Sequence, residues 1–180
     1  AIASGPTAPD TTTKEDAKII LHKYVGQQAD QIQRDFRETL KPNDPAFNRV
    51  QNHIIASNQI ALQAAKEQAE VEGFAAQIVN DELQGEAREV GRQMARLLLK
   101  EERAKQGRPL CLLAGGETTV TIKGNGKGGR NQELVLGAVD ELKEMKNAML
   151  LSIATDGEDG PTDAAGAVAT DTSAHRAESL

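Results

Sequence analysis

From Val50 onward the sequence alternates short apolar runs with longer amphipathic stretches, and this alternation constrains the fold more than any other feature. The runs "VQNHIIAS", "FAAQIV", "PLCLLAGG", "TTVTIK" and "AMLLSIATD" read as strands. Among them lie an Ala-rich helix over 59–72, capped by Asn58 and stopped by Gly73, and a helix over 85–105 with Ala87, Val90, Met94, Leu97 and Leu98 on one face. A third helix is expected over 131–146. Strands alternating with helices of this length predict an α/β domain over residues 49–180, a mixed sheet flanked by helices. Upstream, Thr12 and Glu15 have capping-box spacing ahead of Ala17, Ile20, Leu21, Tyr24 and Val25, which predicts a first helix ending near Gly26. A second, more polar helix is expected over 30–41. The two prolines of "KPNDPAFN" then break the chain, and a domain boundary is placed there, between residues 1–48 and 49–180.

Aromatic residues make up only 2% of the 180 residues, so the core must rest on Ala, Val, Leu and Ile. The net charge of -6 argues against binding nucleic acid or an anionic membrane surface. One cysteine, Cys111, excludes an intramolecular disulfide and a Cys-based zinc cluster, and its leucine neighbours place it in a buried strand. The three histidines, His22, His53 and His175, have no metal-ligand spacing. No run approaches the roughly 18 apolar residues of a membrane-spanning helix, and "AIASGPTAPD" lacks the basic region of a signal peptide. A soluble, cytoplasmic protein is expected.

The loop "GNGKGGRNQE" carries most of the functional information. Gly124, Gly126 and Gly129 satisfy the spacing of a dinucleotide fingerprint, and a helix follows. The preceding "TTVTIK" alternates apolar and polar residues, however, whereas the first strand of a dinucleotide fold is apolar on both faces. A Walker A loop is excluded because no Gly-Lys-Ser/Thr occurs. The general physics survives: successive glycine amides can form an anion nest, and a helix N-terminus adds partial positive charge. Arg130, at the mouth of that helix, offers a planar fork to phosphate or carboxylate oxygens. Gly124, Gly126, Gly128, Gly129 and Asn131, with Glu117 at a strand end, are the candidate cofactor-binding residues.

A second loop, "ATDGEDGPTDAAG", follows an apolar strand and offers Asp156, Glu158, Asp159 and Asp163. Ligands in open α/β sheets gather at the carboxyl ends of strands, where Asp156 falls. A carboxylate there can hold Mg²⁺ or accept a proton from a substrate hydroxyl. The spacing is not that of an EF-hand, whose fifth position would fall on Gly160. Asp156 and Asp159 are the candidate metal ligands. A basic nest and an acidic strand-end loop are complementary parts of phosphoryl transfer.

"LLAGGETTVTIKGNGKGGRNQE" followed by "ATDGEDGPTDAAGA" closely resembles the MOFRL domain of the type-2 glycerate kinases, a family whose members are also called hydroxypyruvate reductases. "IASGPTAPDTTT", "NHIIASNQIALQAA" and "LQGEAREVGRQMA" are similar to the same family in the same order. The resemblance implies ATP-dependent, Mg²⁺-assisted phosphorylation of D-glycerate at its 2-hydroxyl, in a cleft between two domains. It implies that Arg130 and Asp156 are catalytic or contact substrate. It also implies a larger Rossmann-like domain that bears an active-site lysine and ends in residues 1–48, and further strands after residue 180. The chain is thus read as one wall of the cleft, with the lysine-bearing domain as its partner and a homo-oligomer left open. The alternatives are a non-catalytic binding or scaffold domain, and an NAD(P)-dependent hydroxypyruvate reductase.

Overall fold

A computed structural model describes residues 7–32, 36–104 and 107–178 and divides into two compact units, residues 1–55 and 56–180. In the first unit, Thr13 rather than Thr12 opens helix α1 (Lys14–Val25). Its hydroxyl accepts from the Asp16 amide at 3.1 Å while the Asp16 carboxylate accepts from the Thr13 amide at 2.8 Å, a complete capping box. Thr12 instead donates its hydroxyl and amide to Asp10. Gly26 ends α1 at φ 66°, as expected.

The second helix is far shorter than the expected 30–41. Helix α2 (Ala29–Ile32) is a single turn, residues 33–35 lie outside the described set, and 36–40 belong to no helix or strand. Polar tethers explain the difference. Thr39 donates to Asp10 at 3.1 Å, the Lys14 amide to Glu38 at 3.2 Å, and the Asp10 amide to the Leu40 carbonyl at 3.0 Å. Side chains of this kind compete with helical hydrogen bonding.

The expected strand at "VQNHIIAS" does not form, and residues 51–57 are exposed and irregular. Ser57, not Asn58, caps helix α3 (Asn58–Val71), accepting from the Ile60 amide at 3.2 Å. Gly73, at φ 93°, follows its end. Strand β1 (Ala75–Glu86) then runs directly into helix α4 (Ala87–Ala104), and strand β2 (Leu110–Thr119) returns parallel to β1. Ala75 pairs with Leu110 and Glu86 with Thr119, with irregularities between Ile78 and Leu83. Both α3 and α4 contact this pair of strands.

"TTVTIK" is not a strand of its own: β2 continues through Thr119, and residues 120–129 are irregular. Thr121 is held by a side chain instead, its amide and hydroxyl each 3.0 Å from the Glu86 carboxylate. These bonds hold the Glu86 pKa below its ordinary value, the amide foremost.

Helix α5 (Arg130–Leu142) packs against α4 at close range. A Cβ on Gly91 would lie 1.8 Å from the Leu134 carbonyl oxygen, and one on Gly137 would lie 2.3 Å from that of Arg88. Only glycine permits that approach. Arg88–Glu133 at 2.6 Å and Arg96–Glu141 at 2.8 Å bridge the same two helices. Ala95, Val135, Ala138, Leu142 and Met145 form the main core, with Leu142 wholly buried.

Strand β3 (Met149–Ile153) pairs antiparallel with β4 (Gly166–Thr170), a strand absent from the sequence-based expectation, and helix α6 (Ser173–Glu178) follows. The β3–β4 ribbon packs on α5. Because successive side chains in a strand point to opposite faces, Leu150 and Ser152 are half-buried while Met149, Leu151 and Ile153 remain exposed. β3 is therefore half-covered rather than buried. The architecture is α/β, with helices flanking two small sheets, one parallel and one antiparallel. No helix among the described residues is long and apolar enough to cross a membrane.

Candidate functional site

The first turn of a helix leaves amides without intrahelical partners, and α5 meets that need in an unusual way. Its N-cap is Gly129, which has no side chain to contribute. The carboxylate of Asp159 takes over from the loop between β3 and β4. One oxygen accepts from the Asn131 amide at 2.9 Å and the Asn131 Nδ2 at 3.0 Å. The other accepts from the Gln132 amide at 2.8 Å and the Gln132 Nε2 at 3.1 Å. Asp159 is 1% exposed. Burial alone would raise its pKa, but these amide donors prevail and hold it below the usual value. Gly129 is required here, because a Cβ on it would lie 2.3 Å from the Asp159 Cγ.

The junction extends in both directions. Thr162 donates to the Asp159 carbonyl at 2.8 Å and accepts from Gln132 Nε2 at 3.0 Å. Ser152 on β3 donates to the Asn131 Oδ1 at 2.6 Å. The end of the Gly-rich loop joins too: Gly160, at φ 65°, sits where a Cβ would be 2.3 Å from the Gly128 carbonyl oxygen. Among the described residues no buried side-chain polar atom lacks a partner.

The carboxyl ends of β1 and β2 form an open groove of about 590 Å³, lined by residues 82–85 with Gly116, Glu117 and Thr119. Gly116 lets β2 approach Leu83, since a Cβ there would lie 2.2 Å from the Leu83 carbonyl oxygen. Gly115 makes room for Asn58, whose Nδ2 donates to the Asp81 carbonyl. Glu117 leaves β2 at this end and pairs with Arg130, which opens α5. Both side chains are exposed enough for an incoming anion to compete for the guanidinium.

The expected site residues therefore fall into two groups. Arg130, Glu117, Gly124, Gly126, Gly128 and Asp156 face solvent. A Cβ on any of the first three glycines of the loop would meet nothing within 4 Å, so an anion can reach their backbone. Asp156 accepts from the Glu158 amide at 3.3 Å and is otherwise open. Gly129, Asn131 and Asp159 serve the junction instead. The helix amides expected to greet a phosphate already hold Asp159, whose oxygens are spent on N–H donors and not directed at an incoming cation. The same occupancy corrects the dinucleotide alternative, which needs a strand directly before the glycines and a free helix N-terminus after them. Neither is present at residues 120–132.

Asn58, Glu86 and Ser152 also hold this region together, and no spacing rule flags them, because each acts across a long stretch of chain. Cys111 lies half-buried in β2, where burial pushes its thiol pKa up, away from reactivity.

Residues 110–180 match the model of the MOFRL family. By that match the stretch is similar to a MOFRL domain. It contains the Glu117–Arg130 pair, the Gly-rich loop and the Asp159 junction. Over 93% of its length the chain is 42% identical to D-glycerate 2-kinase of Thermotoga maritima, and 43% identical to glycerate 2-kinase of Pyrococcus horikoshii. It spans about 40% of the length of each of these curated relatives. The crystal structure of the Thermotoga maritima glycerate kinase superposes with a TM-score of 0.78 at 38% identity, covering 98% of this chain and 42% of that one. The structural match thus takes in residues of both compact units.

Proposed function

We propose that this chain supplies one wall of the active-site cleft of an ATP-dependent kinase that phosphorylates D-glycerate at its 2-hydroxyl. The observation that carries the reading is the exposed Arg130–Glu117 pair, which joins the carboxyl end of β2 to the first turn of α5 directly after an open glycine loop. Two relatives at 42% and 43% identity that bear glycerate 2-kinase names support the substrate.

Arg130 binds an oxyanion through its planar fork, either the glycerate carboxylate or the phosphoryl group in transit. Glu117 holds that guanidinium at the groove until the anion arrives. The amides of Gly124, Gly126 and Gly128, with Lys123 and Lys127 beside them, offer donors and positive charge to nucleotide phosphates. Asp156 accepts the proton of the 2-hydroxyl as that hydroxyl's oxygen attacks the γ-phosphorus of ATP, and the bond to the bridging oxygen breaks with ADP leaving. One exposed carboxylate beside phosphates and water is a donor set that suits Mg²⁺, so Asp156 is also the residue that would hold the ion. When bound, Mg²⁺ neutralises charge on the phosphate oxygens. The opposite wall, including the lysine, is assigned to the segment that the longer relatives carry and this chain does not match.

In the complete protein, Arg130→Ala is expected to lower kcat/KM for glycerate by about 10²–10³-fold, in line with single charge-stabilising donors elsewhere. Asp156→Asn should lower kcat by roughly 10²–10⁴-fold. Circular dichroism should be unchanged in both. Near-normal turnover by either variant removes that residue from the mechanism.

A further inference from the structure

Arg130 and Asp156 stand on different pieces of chain, one on the first turn of α5 and the other on the loop between β3 and β4. Both are exposed, so packing of their own side chains does not fix their separation. We propose that Asp159 is the positioning residue that sets it, by clamping the helix end that carries Arg130 to the loop that carries Asp156. This rests on the kinase reading above.

The geometry favours a carboxylate at this position over any neutral side chain. Four N–H groups converge on Asp159 between 2.8 and 3.1 Å, two on each oxygen, which needs acceptors on both sides. Asparagine would offer one oxygen and turn an NH₂ group toward two donors. The negative charge also suits the positive end of α5. Because the carboxylate is 1% exposed, water cannot substitute for a lost partner. The clamp reaches further than a helix cap. Thr162 ties the same loop back to Gln132, Ser152 ties β3 to Asn131, and Gly160 seats the loop against Gly128. Three segments with separate roles in the proposed chemistry therefore share one buried anchor.

The test uses Asp159→Asn in the complete protein, with kinetics and amide hydrogen exchange measured well below the melting temperature. A misplacement on the order of 1 Å can slow a reaction by about 10²-fold. On that scale kcat is expected to fall by about tenfold or more, with KM for ATP changed less than about threefold. Exchange at Asn131, Gln132, Gly157 and Asp159 should rise together, while the second half of α5 stays protected. A purely stabilising residue would lower the melting temperature and leave turnover by the folded enzyme alone. Turnover within about threefold of wild type, or amides that exchange independently in the two segments, overturns the proposal.

If Asp159→Asn does not fold, Gln132→Leu removes only the Gln132 side-chain donors and keeps the Asn131 side chain and the backbone clamp. It should lower kcat by about threefold or more, and unchanged turnover overturns the proposal equally. Failure of wild-type protein to phosphorylate glycerate would refute the kinase reading instead, and concerted or independent exchange would still decide the clamp.

Discussion

Adding one methyl group at Gly91 should separate the two helices that form the core of the larger unit. Alanine is the better helix former, so at an exposed position in α4 the change would stabilise by about 1 kcal/mol. Here the new Cβ would lie 1.8 Å from the Leu134 carbonyl oxygen and 2.8 Å from its carbon, both backbone atoms of α5. An ordinary contact requires the helices to part by more than about 1 Å, and a gap of that size forfeits up to half of the dispersion energy across it. Ala95, Val135, Ala138 and Leu142 all lie in the core that would open. Overpacking costs roughly 1–3 kcal/mol when side chains can move, and the upper end applies where the obstacle is backbone. The clash thus outweighs the propensity gain, leaving Gly91→Ala destabilised by about 2 kcal/mol. At about 3–5 °C per kcal/mol for a unit of this size, its melting temperature should fall by roughly 6–10 °C. Differential scanning calorimetry measures it directly. A melting temperature equal to or above that of wild type would refute the close α4–α5 approach and the reasoning built on it.

Two further outcomes follow from the fold. Leu142 is wholly buried, so Leu142→Ala should cost about 2–5 kcal/mol in a urea titration, and less than about 1 kcal/mol would mean that the core lies elsewhere. Asp10 accepts from the Thr12 hydroxyl and amide and from Thr39, which lowers its pKa from 3.8 to about 2. Since the folded value lies below the unfolded one, its contribution is complete above the unfolded value and fades as pH falls toward about 2. A carboxyl titration followed by NMR should place the Asp10 midpoint near 2, and a midpoint near 3.8 would contradict the Thr12 and Thr39 bonds.

The helices of the larger unit are legible in the sequence because their apolar residues keep helical spacing: Ala87, Val90 and Met94 on α4 do meet the core. Strand identity is harder to read. "VQNHIIAS" has the composition of a strand, but no described strand pairs with it, and an unpaired strand has nothing to satisfy its backbone. "TTVTIK" has the alternation of one, yet a side chain, Glu86, satisfies Thr121 in place of a ladder. At the site, Arg130 and Asp156 stand out by residue type and by their places beside a glycine run and a strand end. Asp159 is visible as an acid but not as an anchor. Its partners Asn131 and Gln132 lie far back in the chain, and nothing in local spacing announces a carboxylate that caps a helix from another loop. The glycine pattern misleads for the same reason, since whether a helix N-terminus is free depends on what folds onto it.

Product formation decides most directly whether the groove beside Arg130 belongs to a kinase acting on glycerate. The complete protein should be incubated with D-glycerate, ATP and Mg²⁺, and the product followed by phosphorus NMR. The expected result is ATP-dependent accumulation of 2-phosphoglycerate, slowed by about 10²–10³-fold in Arg130→Ala. Absence of any phosphorylated product, with nicotinamide consumed in the presence of hydroxypyruvate, would contradict it.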